Sequence, residues 1–244
     1  LIQEQNSYAG LTNKWLSKDA SKICVAYSNM DKFFKREKII LTGNPVRRDI
    51  SDLKSKKKEA MDHFKISNNE KVILILGGSL GAKSINDGIL NSLQLIKGKH
   101  IKLIWQVGKR YISSIYESFN KSEFSNVNSM AFINRMDLAY AAADVIVSRA
   151  GALSISEITL VGKASILVPS PNVSEDHQTK NAMALVEKKA AILVNDSSTN
   201  ELLEKALNLL TNEEEYLLIA KNAKLLGKPN ATEDIVKQVI KLTT

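Results

Sequence analysis

At 244 residues, with 44% hydrophobic and 25% charged side chains, the chain has an ordinary globular composition, long enough for one large domain or two small ones. Its net charge of +8 is spread along the sequence. The one dense cluster, Lys54, Lys56, Lys57 and Lys58, lacks the interleaved aromatics of a nucleic-acid platform, so nucleic acid is not an expected partner and acidic lipid stays open. One cysteine, Cys24, excludes an intramolecular disulfide framework, and His63, His100 and His177 are too far apart for metal-ligand spacing. No apolar run approaches the roughly 18 residues of a membrane span.

In chain order, KICVAY (22–27) and KIILTG (38–43) are predicted strands, each preceded by a helical stretch, and Gly43-Asn44-Pro45 marks a turn and a domain boundary. Two successive arginines, Arg47 and Arg48, follow; an arginine there can clamp a phosphate or serve as surface charge. VILIL (72–76) reads as a strand buried on both faces. Gly77, Gly78, Ser79 and Gly81 then open a helix whose Ile85, Ile89, Leu93 and Ile96 recur at helical spacing. A small-residue turn before a helix N-terminus favours an anion, a phosphate above all, although an empty tight turn fits the same residues. Neither the P-loop pattern nor the G-x-G-x-x-G spacing of a dinucleotide fold is present.

IKLIWQV (101–107), SMAFI (129–133), DVIVS (144–148), SILVP (165–169) and AAILV (190–194) are the further predicted strands. Between them lie a polar helix, a short helix from Asp137 to Ala143, a helix from about Ser154 and one from about His177, and three helices close the chain. This alternation predicts an α/β fold with a parallel sheet, helices on both faces and ligands at the carboxyl ends of the strands.

RAGALSISE (149–157) is a second small-residue turn, and Ser154 with Glu157 has the spacing of a capping box. Glu157 is thus either a helix cap or a carboxylate that accepts from two neighbouring sugar hydroxyls. The loop PSPNVSEDHQTKNA (169–182) crowds His177, Gln178 and Asn181 at a helix start. Gln178 and Asn181 each donate and accept, as sugar recognition requires, whereas Asp176 alone fits a plain N-cap.

EQNSYAGLTNKWL, TGNPVR, GGSLGAKSIN, AYAAADVIVSRAGALSISE and DHQTKNA, in this order, resemble the lipid II-forming N-acetylglucosaminyltransferases of bacterial peptidoglycan synthesis, the MurG family. The resemblance covers residues 1 to about 240 and implies the GT-B glycosyltransferase fold, two Rossmann-like domains facing across a cleft. It implies transfer of N-acetylglucosamine from UDP-N-acetylglucosamine to the 4-hydroxyl of the muramoyl sugar of lipid I, with inversion, by a peripheral enzyme at the cytoplasmic face of the plasma membrane. No cofactor and no metal are implied. Under it, Ser79 touches the diphosphate, Arg47 approaches the nucleotide, and Phe132 and Ile133 hold the uracil. Ala152, Leu153 and Ser154 offer backbone amides to the diphosphate, Glu157 takes the ribose, and His177 and Gln178 reach the transferred sugar. Glu4, Gln5 and Asn6 are acceptor-side candidates. Leu80, Ala150, His177 and Gln3 depart from the residues usual in the family, which puts the detail of sugar recognition in question.

The resemblance divides the chain into residues 1–45, the end of an N-terminal acceptor and membrane domain, residues 46–225, the donor domain, and residues 226–244, a C-terminal helix packing back towards the first. The family's glycine-rich N-terminal loop, which carries its candidate base histidine, is not matched, and Leu1 is not a methionine. The expectation is therefore an N-terminally incomplete transferase that binds donor, turns over little and has no identified general base. A UDP-sugar epimerase of the same fold and a non-catalytic nucleotide-sugar module are the alternatives.

Overall fold

The computed structural model describes residues 1–243. Two parallel sheets organise the chain. The first is small: β1 (Ile2–Glu4), β2 (Ile23–Val25) and β3 (Ile39–Leu41) lie in the order β1-β2-β3, with Ile2 opposite Ile23 and Ile23 opposite Ile39. Helix α1 (Leu11–Leu16) connects β1 to β2, and Ala9, Ala20, Ile23, Val25, Met30 and Phe34 form the core beneath. β1 is a strand that the sequence did not announce, being only three residues long. The helix expected before β3 is instead two three-residue 3-10 turns, Met30–Lys32 and Arg36–Lys38, the first entered through left-handed Asn29.

The second sheet holds β4 (Lys71–Leu76), β5 (Ile101–Gln106), β6 (Val127–Met130), β7 (Val145–Arg149), β8 (Ala164–Val168) and β9 (Ile192–Leu193). Their order, β6-β5-β4-β7-β8-β9, is that of a doubly wound nucleotide-binding sheet, with its reversal between β4 and β7. Successive β4 residues point to opposite faces. Val72, Leu74 and Leu76 enter one core with α2 (Lys57–Phe64), α5 (Met136–Ala142), α6 (Ala152–Val161) and α7 (His177–Val186). Ile73 and Ile75 enter the other with Leu103, Trp105, α3 (Lys83–Ser92), α4 (Ile112–Ser118) and α8 (Leu202–Thr211). Burial on both faces is why these strands are apolar runs without alternation.

α9 (Glu213–Leu226) contributes Ile219 to one core and Ala223 to the other. α10 (Ala231–Thr243) starts at buried Ala231, and its Glu233 pairs with Arg48 at 3.1 Å. No described helix is long and apolar enough to cross a membrane.

The strand expected at 129–133 ends at Met130, because the register pairs Leu103 with Val127 and Gln106 with Met130. The peptide N–H of Ile133 donates to the Gln106 side chain instead of a neighbouring strand.

Candidate functional site

A cleft of 640 Å³ opens at the carboxyl ends of β4 and β7, where the strand order reverses. One wall is the turn from Gly77 to Ala82, which leads into α3. Gly78 and Gly81 have φ of +83° and +80°, a region costly for other residues, and the Gly81 N–H closes a turn on the Gly78 carbonyl at 3.2 Å. A Cβ on Gly81 would overlap the Val107 carbonyl oxygen, so the turn lies directly on the segment after β5.

The other wall is the start of α6 after Gly151, together with Ser170, Asn172 and Gln178. Neither α3 nor α6 has a side-chain cap, so first-turn amides of two helices border one cavity. That arrangement attracts an anion through free N–H donors and the helix dipole, worth about 0.3–1 kcal/mol per helix.

Ser79, Ser154 and Gln178 line this cleft, and Ala152 and Leu153 sit in the first turn of the α6 that borders it. Gln178 also holds the loop above, its Oε1 accepting from the Ser170 N–H at 2.9 Å.

The capping box is not formed. α6 begins at Ala152, so Ser154 is already inside the helix, and Glu157 lies a turn further on. The Glu157 carboxylate accepts from Arg47 Nε on one oxygen and from the Tyr140 hydroxyl on the other, both at 2.9 Å. Burial works against the Arg47 charge, but the neighbouring carboxylate prevails and holds the guanidinium pKa above its ordinary value. Burial, and then the Glu157 charge, push the Tyr140 phenol well above its usual range. Arg47 and Glu157, 110 residues apart in sequence, are thus brought together as a pair.

Phe132 is 46% exposed whereas Ile133 is buried. Ile133 is tied to the glycine turn through Gln106, a buried residue that the sequence did not single out. The Gln106 Oε1 accepts from the Ile133 N–H and its Nε2 donates to the Gly78 carbonyl, each at 2.9 Å. The Ile133 N–H is therefore already engaged within the protein.

Several expected sugar or acceptor contacts are committed elsewhere. Fully buried Asn181 accepts from the Ser7 N–H at 2.8 Å and donates to Asn6 Oδ1 at 2.9 Å, clamping the N-terminal loop to α7 instead of facing the cleft. Buried Glu4 accepts from the Asn6 and Gly10 amides and from Asn13 Nδ2, so its carboxylate shapes its own loop. The Gln5 carbonyl accepts from Asn44. His177 does not line the cleft; its Nε2 is 3.6 Å from Glu175 and its ring centroid 6.3 Å from that of Tyr8.

A charged floor was also missed. Arg149, at the end of β7, donates to Asp196 at 2.5 Å, to Ser84 at 2.8 Å and to the Val168 and Pro169 carbonyls, while Ser84 donates to Asp196 at 2.6 Å. Arg149 lies in the RAGALSISE turn, the only sequence signal it had; Asp196 arrives from a turn after β9 that carried none. Among the described residues, no three His, Cys, Asp or Glu side chains gather as metal ligands.

Residues 72–239 match the family model described as Glycosyltransferase family 28 C-terminal domain. A protein of Flavobacterium psychrophilum named "UDP-N-acetylglucosamine--N-acetylmuramyl-(pentapeptide) pyrophosphoryl-undecaprenol N-acetylglucosamine transferase" is 51% identical over 246 residues, covering 99% of this chain and 65% of that protein. A Bacteroides fragilis protein of the same name is 50% identical over 99% of this chain and 64% of its own length. The chain therefore spans just under two thirds of these curated relatives. Among solved structures it is similar to Acinetobacter baumannii MurG, with TM-score 0.75 and 30% identity over 98% of this chain and 66% of that one. At 19% identity, a Neisseria meningitidis UDP-GlcNAc 2-epimerase bound to UDP-GlcNAc shares the fold with TM-score 0.65, over 97% of this chain and 68% of that one. With its parallel Rossmann-like sheet and GT-B architecture, the chain belongs to glycosyltransferase family 28, whose C-terminal domain residues 72–239 form.

Proposed function

We propose that the chain is the donor-binding part of an inverting transferase. It moves N-acetylglucosamine from UDP-N-acetylglucosamine to the 4-hydroxyl of the muramoyl sugar of lipid I, giving lipid II at the cytoplasmic face of the plasma membrane. The observation that carries this reading is the convergence of two uncapped helix N-termini, α3 and α6, on one cleft at the sheet's reversal point. The names of the half-identical relatives support the choice of donor and acceptor. Under this reading the division is residues 1–45, 46–225 and 226–244, with the acceptor and membrane contacts made chiefly by a preceding domain.

The chemistry follows from charge. As the glycosidic bond breaks, the sugar becomes oxocarbenium-like and the UDP diphosphate gains negative charge. Donors already aimed at that charge stabilise it more in the transition state than in the ground state. Here those donors are the first-turn amides of α3 and α6, among them Ala152, Leu153 and Ser154, with the Ser79 hydroxyl beside them. Arg47 adds a positive charge, Glu157 takes the ribose hydroxyls, Phe132 and Ile133 bracket the uracil, and Gln178 meets the transferred sugar, with His177 beside it at the start of α7 but outside the cleft. No described side chain is assigned as the base that takes the acceptor proton.

Calorimetric titration with UDP-N-acetylglucosamine tests this, with UDP-glucose and NAD as controls. Saturable, selective binding that Glu157→Ala removes is expected, with little lipid II formed from lipid I. A folded chain that binds no UDP-sugar overturns the reading, and conversion of UDP-N-acetylglucosamine without acceptor replaces it with epimerase chemistry.

A further inference from the structure

We propose that Tyr140 is the positioning residue that fixes the Glu157 carboxylate for the ribose of a uridine diphosphate donor, while Arg47 holds the other oxygen as a partner the ligand displaces. This rests on the assignment of Glu157 to the ribose.

Tyr140 is 1% exposed and sits on α5, every residue of which is buried. The helix is anchored at its start, where Asp137 receives Lys56 at 2.7 Å and Arg135 at 3.0 Å. A phenylalanine would fill such a site without a polar group to satisfy, and a buried hydroxyl is costly unless bonded. Among the described residues the Tyr140 hydroxyl has one hydrogen-bond partner, Glu157 Oε2 at 2.9 Å. Its raised pKa keeps the phenol protonated, so it stays a donor across the working pH range.

The two carboxylate oxygens are therefore held unequally. Oε2 is pinned by a rigid, dry donor, and Oε1 by Arg47, whose side chain is 42% exposed and whose ion pair is weakened by solvent. A carboxylate offers about four acceptor positions, so two hydroxyls can dock while Tyr140 remains bonded. The guanidinium released from Oε1 is then free to meet a phosphate oxygen.

The test is titration of the chain with UDP and with 2′-deoxy-UDP, alongside thermal unfolding. The unmodified chain should prefer UDP by about 10- to 100-fold, the range of one hydrogen bond to a charged group. In Tyr140→Phe the carboxylate is free to rotate, and that preference should fall to near unity while the diphosphate still binds. A folded Tyr140→Phe chain that keeps the full preference overturns the proposal, because a merely structural role moves the melting temperature and not the ratio. Absence of any preference in the unmodified chain overturns the ribose assignment itself, a result visible before any variant is made. Should Tyr140→Phe not fold, 3-fluorotyrosine at position 140 keeps both ring and hydroxyl. Its fluorine resonance should move further with UDP than with 2′-deoxy-UDP, and equal movement overturns the proposal.

Discussion

Replacing Gln106 with leucine, which keeps the approximate volume and removes both polar ends, tests whether one buried amide couples the glycine turn to the loop carrying Phe132 and Ile133. Gln106 is 3% exposed and serves two loops at once, accepting from the Ile133 N–H and donating to the Gly78 carbonyl. In Gln106→Leu the Ile133 N–H, on a residue only 2% exposed, finds no water, and orphaning it costs about 1–3 kcal/mol. Gly78 is only partly buried, and its carbonyl regains water, which holds its share to about 1 kcal/mol or less. The sum, about 1–4 kcal/mol, lowers the melting temperature by roughly 2–16 °C in a chain of this size. Differential scanning fluorimetry reads the shift, and calorimetry with UDP should show weaker binding because the turn loses its anchor. Gln106→Glu, which keeps the acceptor for Ile133 but faces the Gly78 carbonyl with a second oxygen, should restore only part of the stability. A Gln106→Leu chain that melts within about 1 °C of the parent would refute the coupling.

Three further outcomes are expected. Asn181→Ala removes the clamp between α7 and the N-terminal loop and orphans the Ser7 N–H, costing about 1–3 kcal/mol, and limited proteolysis within residues 5–10 should accelerate; an unchanged cleavage rate contradicts this. Gly81→Ala meets both a φ of +80° and the Val107 carbonyl, so it should destabilise by about 2 kcal/mol or more and abolish nucleotide binding; an alanine chain that binds normally would show that the turn is not built as described. The third concerns pH: hydrogen bonds from Arg135, and then Lys56, hold the Asp137 carboxyl well below the usual carboxylate range. A depressed folded-state pKa stabilises fully above the unfolded value of about 3.9, and that stability is lost as pH falls further. The urea midpoint of the parent should therefore exceed that of Asp137→Asn at neutral pH, with the gap closing on acidification below about pH 4; a gap constant from pH 7 to pH 3 speaks against it.

The order of the large sheet's strands along the chain was legible before any coordinates because its cause is local. Runs such as Val72–Leu76 are apolar throughout when both faces of a strand are covered, and the helix after Gly81 shows its buried stripe at Ile85 and Ile89. The two small-residue turns were legible for the same reason: Gly78 and Gly81 take backbone angles that few other residues tolerate. Short elements were less so. β1 and the 3-10 turns before β3 are three residues each, too brief for a periodic signal, and the strand read at 129–133 lies at 127–130 because pairing with β5, a neighbour set only by topology, decides its register.

What folding alone decided is which polar groups meet. Ser154 and Glu157 have capping spacing, yet α6 starts three residues earlier than that spacing requires, so Glu157 turns to Arg47 and Tyr140, 110 and 17 residues away. Asn181, read as a sugar contact, clamps the N-terminal loop to α7, while Gln106, which the sequence did not single out, links two loops. A side-chain amide or carboxylate has several equivalent ways to satisfy its hydrogen bonds, and nothing local ranks them. Only the packing of the sheet, which dries some positions and leaves others wet, selects the partner.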